Sequence, residues 1–257
     1  MCENSEYTTD IGGACRFFCD GGCEMQAVKE KAYAKINLYL DVLSKREDGF
    51  HDIKTVMHSV SLFDELTVSV APSSKRSVSL VISDASHLPS DSKNLAYAAA
   101  MLFLEKLGVN DKVDIKLKKK IPISAGLAGG SSDAAAVLRA LNKLYKHPFT
   151  QKALMSIGAE LGSDVPYCIV GKTALCEGRG EKIARISTNT SLNIVVASSK
   201  ERVSTPEAYG DLDKRYSDFN GSVFKDSEKY YIKLVEELKN FEGRFDSIKT
   251  YTICFSF

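Results

Sequence analysis

The 257 residues carry 34 Lys and Arg against 33 Asp and Glu, and 44% of them are hydrophobic. That balance excludes a disordered or fibrous chain and offers no electrostatic footprint for nucleic acid. The longest apolar runs, such as residues 192–197, fall far short of the roughly 20 residues that cross a bilayer. The expectation is a soluble, cytoplasmic protein with one large domain or two moderate ones, and with neither nucleic acid nor membrane as a partner.

Four of the seven cysteines, Cys2, Cys15, Cys19 and Cys23, crowd the first 24 residues, while Cys168, Cys176 and Cys254 are scattered. The C-x3-C-x3-C spacing fits no zinc finger or ribbon, and no apolar signal-peptide core accompanies it. Residues 1–24 therefore read as a flexible leader, with the first convincing strand beginning just after Met25.

Residues 29–43 alternate as a strand does, with Val28, Ile36, Leu38 and Leu40 as apolar positions and Lys35 and Asn37 on the opposite face. Asp48-Gly49 marks a turn. Strands are expected over 53–70 and 77–83. A helix over 93–108 follows, its stripe made by Leu95, Ala98, Ala99, Leu102, Leu104 and Leu107, and Gly108 stops it. Residues 112–118 alternate strictly, with Val113, Ile115 and Leu117 inward. Lys118, Lys119 and Lys120 then read as a solvated strand end.

Residues 121–145 join a glycine-rich loop to a helix whose buried face is Ala134, Val137, Leu138, Leu141 and Leu144. Ser131 or Ser132 is the expected N-cap. Beyond it the pattern predicts a helix at 150–161 ending at Gly162 and strands at 167–177 and 192–198. A further helix is expected at 227–240. His58, His87 and His147 have no motif around them and read as structural or surface residues.

A strand, a glycine loop and a helix N-terminus together make an anion site, because unsatisfied N–H groups and the positive end of the helix dipole converge there. Gly126, Gly129 and Gly130 let the backbone approach phosphate oxygens, and Ser131 and Ser132 add hydroxyls, one of which could hold magnesium. The loop is neither a Walker loop, which needs a Lys after its last glycine, nor a Rossmann G-x-G-x-x-G.

The run P-I-S-A-G-L-A-G-G-S-S, from Pro122, resembles the second signature of the GHMP kinases, named for galacto-, homoserine, mevalonate and phosphomevalonate kinases. The resemblance implies that Pro122, Ile123, Ser124, Ala125, Gly126, Leu127, Ala128, Gly129, Gly130, Ser131 and Ser132 wrap the phosphates of ATP, with Mg2+ at Ser132. It also implies a catalytic Lys35 in A-K-I-N-L and a catalytic Asp164 in G-S-D-V-P. The hexapeptide R-E-D-G-F-H at 46–51 resembles that of members acting on a small molecule with a cytidine diphosphate moiety. There Asn37 touches substrate, Phe50 stacks on the base and His51 reads its edge. Thr205 in V-S-T-P is a further substrate candidate, and Asn94-Leu95 and residues 174–181 match without a named role.

The implied fold is α+β in two domains. The first, at 25–185, is of the ribosomal protein S5 domain 2-like kind. The second, at 186–257, is ferredoxin-like and incomplete, since the family's third glycine-rich motif is not found. Two alternatives stay open: a GHMP kinase for another alcohol, and a catalytically impaired member that binds nucleotide.

Overall fold

The computed structural model describes residues 8–9, 14–18, 24–85, 87–188, 192–196, 205–215 and 227–240. Residues 1–23, apart from two short strands, and the chain beyond 240 lie outside the described residues. Two compact units share the chain. The first comprises Met1–Ala34, Ser61–Ile123 and Ala128–Val170; the second comprises Lys35–Val60, Ser124–Leu127 and Gly171–Phe257.

In the first unit β1 (Thr8–Thr9) pairs antiparallel with β2 (Ala14–Phe18), and β2 with the start of β3 (Glu24–Lys45). The latter part of β4 (His51–Ala71) runs antiparallel to β6 (Lys112–Lys118), with Val68 opposite Ile115, and β5 (Ser77–Ser83) lies parallel to β6. A parallel pair needs a crossover, and α1 (Leu95–Leu107) supplies it. The alternation expected for 112–118 holds: Val113, Ile115 and Leu117 are buried beside Leu66 and Val68 of β4.

Helices cover that inner face. The side chain of Asn94 caps α1 by accepting from the Ala96 N–H, and Gly108, at φ 76°, ends it in the left-handed conformation. The second helix, α2 (Gly129–Leu144), is buried nearly all round, and its alanines at 134, 135, 136 and 140 admit close neighbours. It packs on α1, α3 (Gln151–Leu161) and α4 (Val165–Val170). At Gly158 of α3 an added Cβ would stand 2.8 Å from Val165 Cγ1, so only glycine permits that approach.

Three expectations fail here. Residues 165–170 form α4, where a strand was expected to open near 167, although 173–178 is a strand as expected. A six-residue apolar run cannot be told from a strand by periodicity, and Pro166 suits the first turn of a helix. Residues 192–196 form no strand; Val195 is 96% exposed, so this stretch lacks the burial that makes alternation pay. Lys119 is not solvated at all, being only 9% exposed.

In the second unit β3 turns back into β4 through residues 46–50. The first part of β4 pairs antiparallel with β7 (Thr173–Gly178), Val56 facing Leu175, and β7 with β8 (Lys182–Arg185). Both faces of β3 are buried around Ile36, because Lys35 and Asn37 are each 6% exposed. Two helices follow, α5 (Thr205–Arg215) and α6 (Ser227–Asn240), the latter where it was expected. Lys54 anchors α6 to β4 by pairing with Glu228 at 2.8 Å and lying 3.9 Å from the Tyr231 ring centroid. Among the described residues no helix is long and apolar enough to cross a membrane.

Candidate functional site

The glycine-rich loop is defined by its backbone. Ser124, Gly126 and Ala128 adopt φ of 56°, 70° and 55°, so left-handed residues occur at alternate positions. Such residues let successive N–H groups converge on one anion. Pro122, Ser124, Gly126 and Gly130 are exposed, whereas Leu127 is buried and Ile123, Ala125, Ala128, Gly129 and Ser131 are half-buried. The carbonyl of Leu127 accepts from the Lys35 N–H at 3.1 Å, which ties this loop to β3 within the second unit.

Neither serine caps α2. The helix begins earlier than expected, at Gly129, with Ala128 at the cap position and no side-chain cap bond. No acidic residue occupies the first turn either. The first N–H groups of α2 and its positive dipole end are therefore not satisfied by a capping side chain. Ser132 is turned inward, 2% exposed, and its hydroxyl donates to the Tyr33 carbonyl at 2.7 Å.

Mg2+ favours oxygen ligands and usually keeps waters alongside nucleotide phosphates. The Ser132 oxygen retains lone pairs while its proton serves Tyr33, so it fits as one such ligand. Among the described residues no group of three or more His, Cys, Asp and Glu is arranged to hold a metal. The remaining ligands would come from the nucleotide and water.

Within the first unit, at the residues that lead into and out of the loop, lies a charge cluster that sequence reasoning missed. Lys119 Nζ donates to Asp133 Oδ2 at 2.7 Å and to Asp64 Oδ2. Asp64, fully buried, also accepts from the backbone N–H groups of Lys120 and Ile121. Burial would drive the Lys119 ammonium towards neutrality, but Asp133 and Asp64 outweigh it and hold its pKa up. Burial and the neighbouring Asp64 push Asp133 up to about 8 against the pull of Lys119. Two carboxylates and one ammonium would leave a net buried charge, and a proton on Asp133 removes it. The signal was present: 64 and 119 continue the inward register of 66, 68 and of 113, 115, 117, and Asp133 precedes Val137 by one helical turn.

Asp164 sits in the turn before α4, half-buried, and its carbonyl accepts from the Cys168 N–H at 3.0 Å. Within the second unit, Lys35 Nζ donates to Asn37 Oδ1 at 3.2 Å, two residues along the same strand face. The expected catalytic lysine and the expected substrate-binding asparagine are thus hydrogen-bonded to each other.

The 46–51 segment is a tight turn. The Arg46 N–H donates to the Phe50 carbonyl, Gly49 takes φ 83°, and Asp48 accepts from the Phe50 N–H. That last bond holds the Asp48 carboxyl below its usual range. Phe50 presents its ring outward, 47% exposed, with the Arg179 guanidinium 3.5 Å from its centroid. His51 points the other way. It is 7% exposed, its Nε2 meets Asp213 Oδ1 at 2.7 Å, and it stacks on Tyr209 at 4.7 Å. Asp213 also binds Lys45 at 2.6 Å, which, ahead of His51, holds the carboxyl low. Tyr209 and Asp213 carried no motif of their own, whereas Arg179 lies in the 174–181 stretch that matched without a named role. Thr205 opens α5, and its side chain lies outside the described residues.

Residues 94–172 match the model of the GHMP kinases N-terminal domain. This region is similar to the N-terminal domain of the GHMP kinases. The matched residues include the whole glycine-rich loop and Asp164, but not Lys35, Phe50 or His51. Among curated proteins, 4-diphosphocytidyl-2-C-methyl-D-erythritol kinase of Caldicellulosiruptor saccharolyticus is 50% identical over 183 residues, 71% of this chain and 62% of that protein. A crystal structure of 4-(cytidine 5'-diphospho)-2C-methyl-D-erythritol kinase is 39% identical, with a TM-score of 0.52 over 63% of this chain and 56% of the other. Homoserine kinase from Cytophaga hutchinsonii shares the GHMP fold at 20% identity, with a TM-score of 0.58 over 82% of this chain and 67% of its own. The chain spans 62–64% of the length of the curated relatives it matches.

Proposed function

We propose that this chain is an ATP-dependent kinase for the 2-hydroxyl of 4-diphosphocytidyl-2-C-methyl-D-erythritol, acting in the cytoplasm in the non-mevalonate route to isoprenoids. The observation that carries the reaction class is the loop at 122–132, with left-handed residues at 124, 126 and 128 feeding an uncapped helix start. Such a backbone suits the phosphates of ATP. The names of the relatives that share half of the aligned residues support the acceptor, and so does the exposed Phe50 ring in the 46–51 turn.

Phosphoryl transfer depends on positioning and charge stabilisation. The acceptor oxygen bonds the γ-phosphorus, the bond to the ADP oxygen breaks, and the hydroxyl proton passes to the Asp164 carboxylate. The Lys35 ammonium, oriented by Asn37, stabilises the developing oxyanion. Mg2+ with a Ser132 ligand supplies charge neutralisation for the phosphates when bound. Phe50 stacks on the base, while His51, its ring turned inward onto Asp213 and Tyr209, holds the turn that carries Phe50.

ADP release from Mg-ATP, measured with and without the acceptor, tests this. Acceptor-dependent release is expected, and Asp164→Asn should lower it at least roughly 100-fold with ATP affinity unchanged. Release with another GHMP alcohol but not this one overturns the acceptor. ATP binding without any release favours a nucleotide-binding member lacking turnover.

A further inference from the structure

The Asp64–Lys119–Asp133 cluster touches both ends of one segment. At the entry, Asp64 accepts from the N–H groups of Lys120 and Ile121, the latter at 2.8 Å. At the exit, Lys119 reaches Asp133 in the second turn of α2 at 2.7 Å, and its Nζ stands 3.3 Å from where a Cβ on Gly129 would be. Ile121 Cγ2 lies 3.2 Å from that same point, so the two ends close on each other. Between them runs the anion loop.

We propose that Asp64, Lys119 and Asp133 are positioning residues for nucleotide binding: a buried clamp that fixes both ends of the 122–128 loop and shapes it before phosphate arrives. The proposal rests on the reading of that loop as the phosphate site. A loop built from backbone N–H groups has no side chains with which to adapt, so its affinity depends on how well its shape is held beforehand. The side chains of Asp64, Lys119 and Asp133 are 0%, 6% and 4% exposed, so they do not present themselves to a ligand. Among the described residues Asp133 Oδ1 is buried without a hydrogen-bond partner, while Oδ2 meets Lys119 at 2.7 Å.

The experiment compares the full chain with Asp133→Ala and Asp133→Asn. The alanine change leaves Lys119 and Asp64 as a balanced pair; the asparagine change keeps an acceptor for Lys119. Amide hydrogen exchange is followed without nucleotide at Lys120, Ile121 and Ser132, with β6 as the internal reference, and ATP and acceptor affinities are measured separately. Asp133→Ala should speed exchange at those three amides about tenfold while β6 is unaltered. It should weaken ATP about tenfold and leave the acceptor within about twofold, and Asp133→Asn should restore most of both.

Exchange and ATP affinity equal to wild type in the alanine variant overturn the clamp. So does a parallel loss of ATP and acceptor binding, which marks a general loss of fold. If Asp133→Ala does not fold, Asp133→Asn decides, since a tenfold weakening of ATP in that variant contradicts positioning through a hydrogen bond. A wild-type chain that binds no ATP sinks the reading of the loop, and the exchange data still judge the clamp by themselves.

Discussion

The anion loop and the 46–51 turn are both candidate ligand sites, yet they are built from different material. The loop offers backbone, held by left-handed residues at 124, 126 and 128 and by a close approach at Gly129, and its side chains matter for the conformation they permit. The turn offers particular side chains: an exposed ring at Phe50, a buried imidazole at His51, and an aspartate and arginine that hold them. The loop should therefore fail through changes of shape and support, and the turn through changes of chemistry. Substitutions that obey this division sharpen the contrast, and those that cross it break it.

The largest effect belongs to the support of the loop. Lys119→Met retains the length of the side chain but leaves Asp64 and Asp133 buried without a cation. Removing one partner of a buried ion pair costs about 3–5 kcal/mol, to be read from the midpoint and slope of urea denaturation. A loss below about 1 kcal/mol would place the cluster in the range of exposed ion pairs, contrary to its burial. In the turn, Phe50→Ala should cost about 1–3 kcal/mol in acceptor binding, the usual worth of a stacked base, with ATP affinity untouched. Arg179 already covers one face of the ring at 3.5 Å, so the base takes the other face or displaces the guanidinium. An unchanged acceptor KM would remove Phe50 from the base site.

The anion loop was legible in the sequence because its chemistry is written in glycines and serines at fixed spacing. Its clamp was not, because three consecutive lysines look solvated unless the alternation of β6 is carried two residues further to 119. The strand at 112–118 and the helices at 95–107 and 227–240 were readable from periodicity and stop signals. The helix at 165–170 was not, since Val165, Pro166, Tyr167 and Ile169 are all buried and no polar face betrays the period. The same blindness hid Tyr209 and Asp213. Their partners in the turn are more than 150 residues away in sequence, and nothing local announces a contact of that range.

A smaller effect tests the loop's shape directly. Ala128 holds φ 55°, a conformation costing an L-residue about 1–2 kcal/mol, while glycine adopts it freely. Ala128→Gly relieves that strain but gives the unfolded chain more freedom, so a net gain of about 0.5–1 kcal/mol is expected by denaturation. A loss would mean that the alanine methyl contributes packing that outweighs its backbone strain.

The smallest expected effect lies away from both sites and separates general stability from function. His58 on β4 bonds Thr173 of β7 through Nδ1 at 2.7 Å, and burial lowers its pKa below the ordinary 6.5. The folded protein thus resists a proton that the unfolded chain accepts, and by linkage stability rises with pH wherever the unfolded state binds more protons. The contribution is complete above 6.5 and is lost as pH falls from there through the lower folded value. The slope from this one group cannot exceed about 1.4 kcal/mol per pH unit. His58→Gln keeps a partner for Thr173 and removes the titration, so the difference in stability between variant and wild type should change between about pH 7 and 5 and stay constant above. A difference that is flat across the whole range would mean that His58 accepts its proton in the folded chain as readily as in the unfolded one. Since neither the loop nor the turn contains His58, ATP and acceptor affinities should follow wild type throughout, and a shift in either would tie this strand pair to a ligand site.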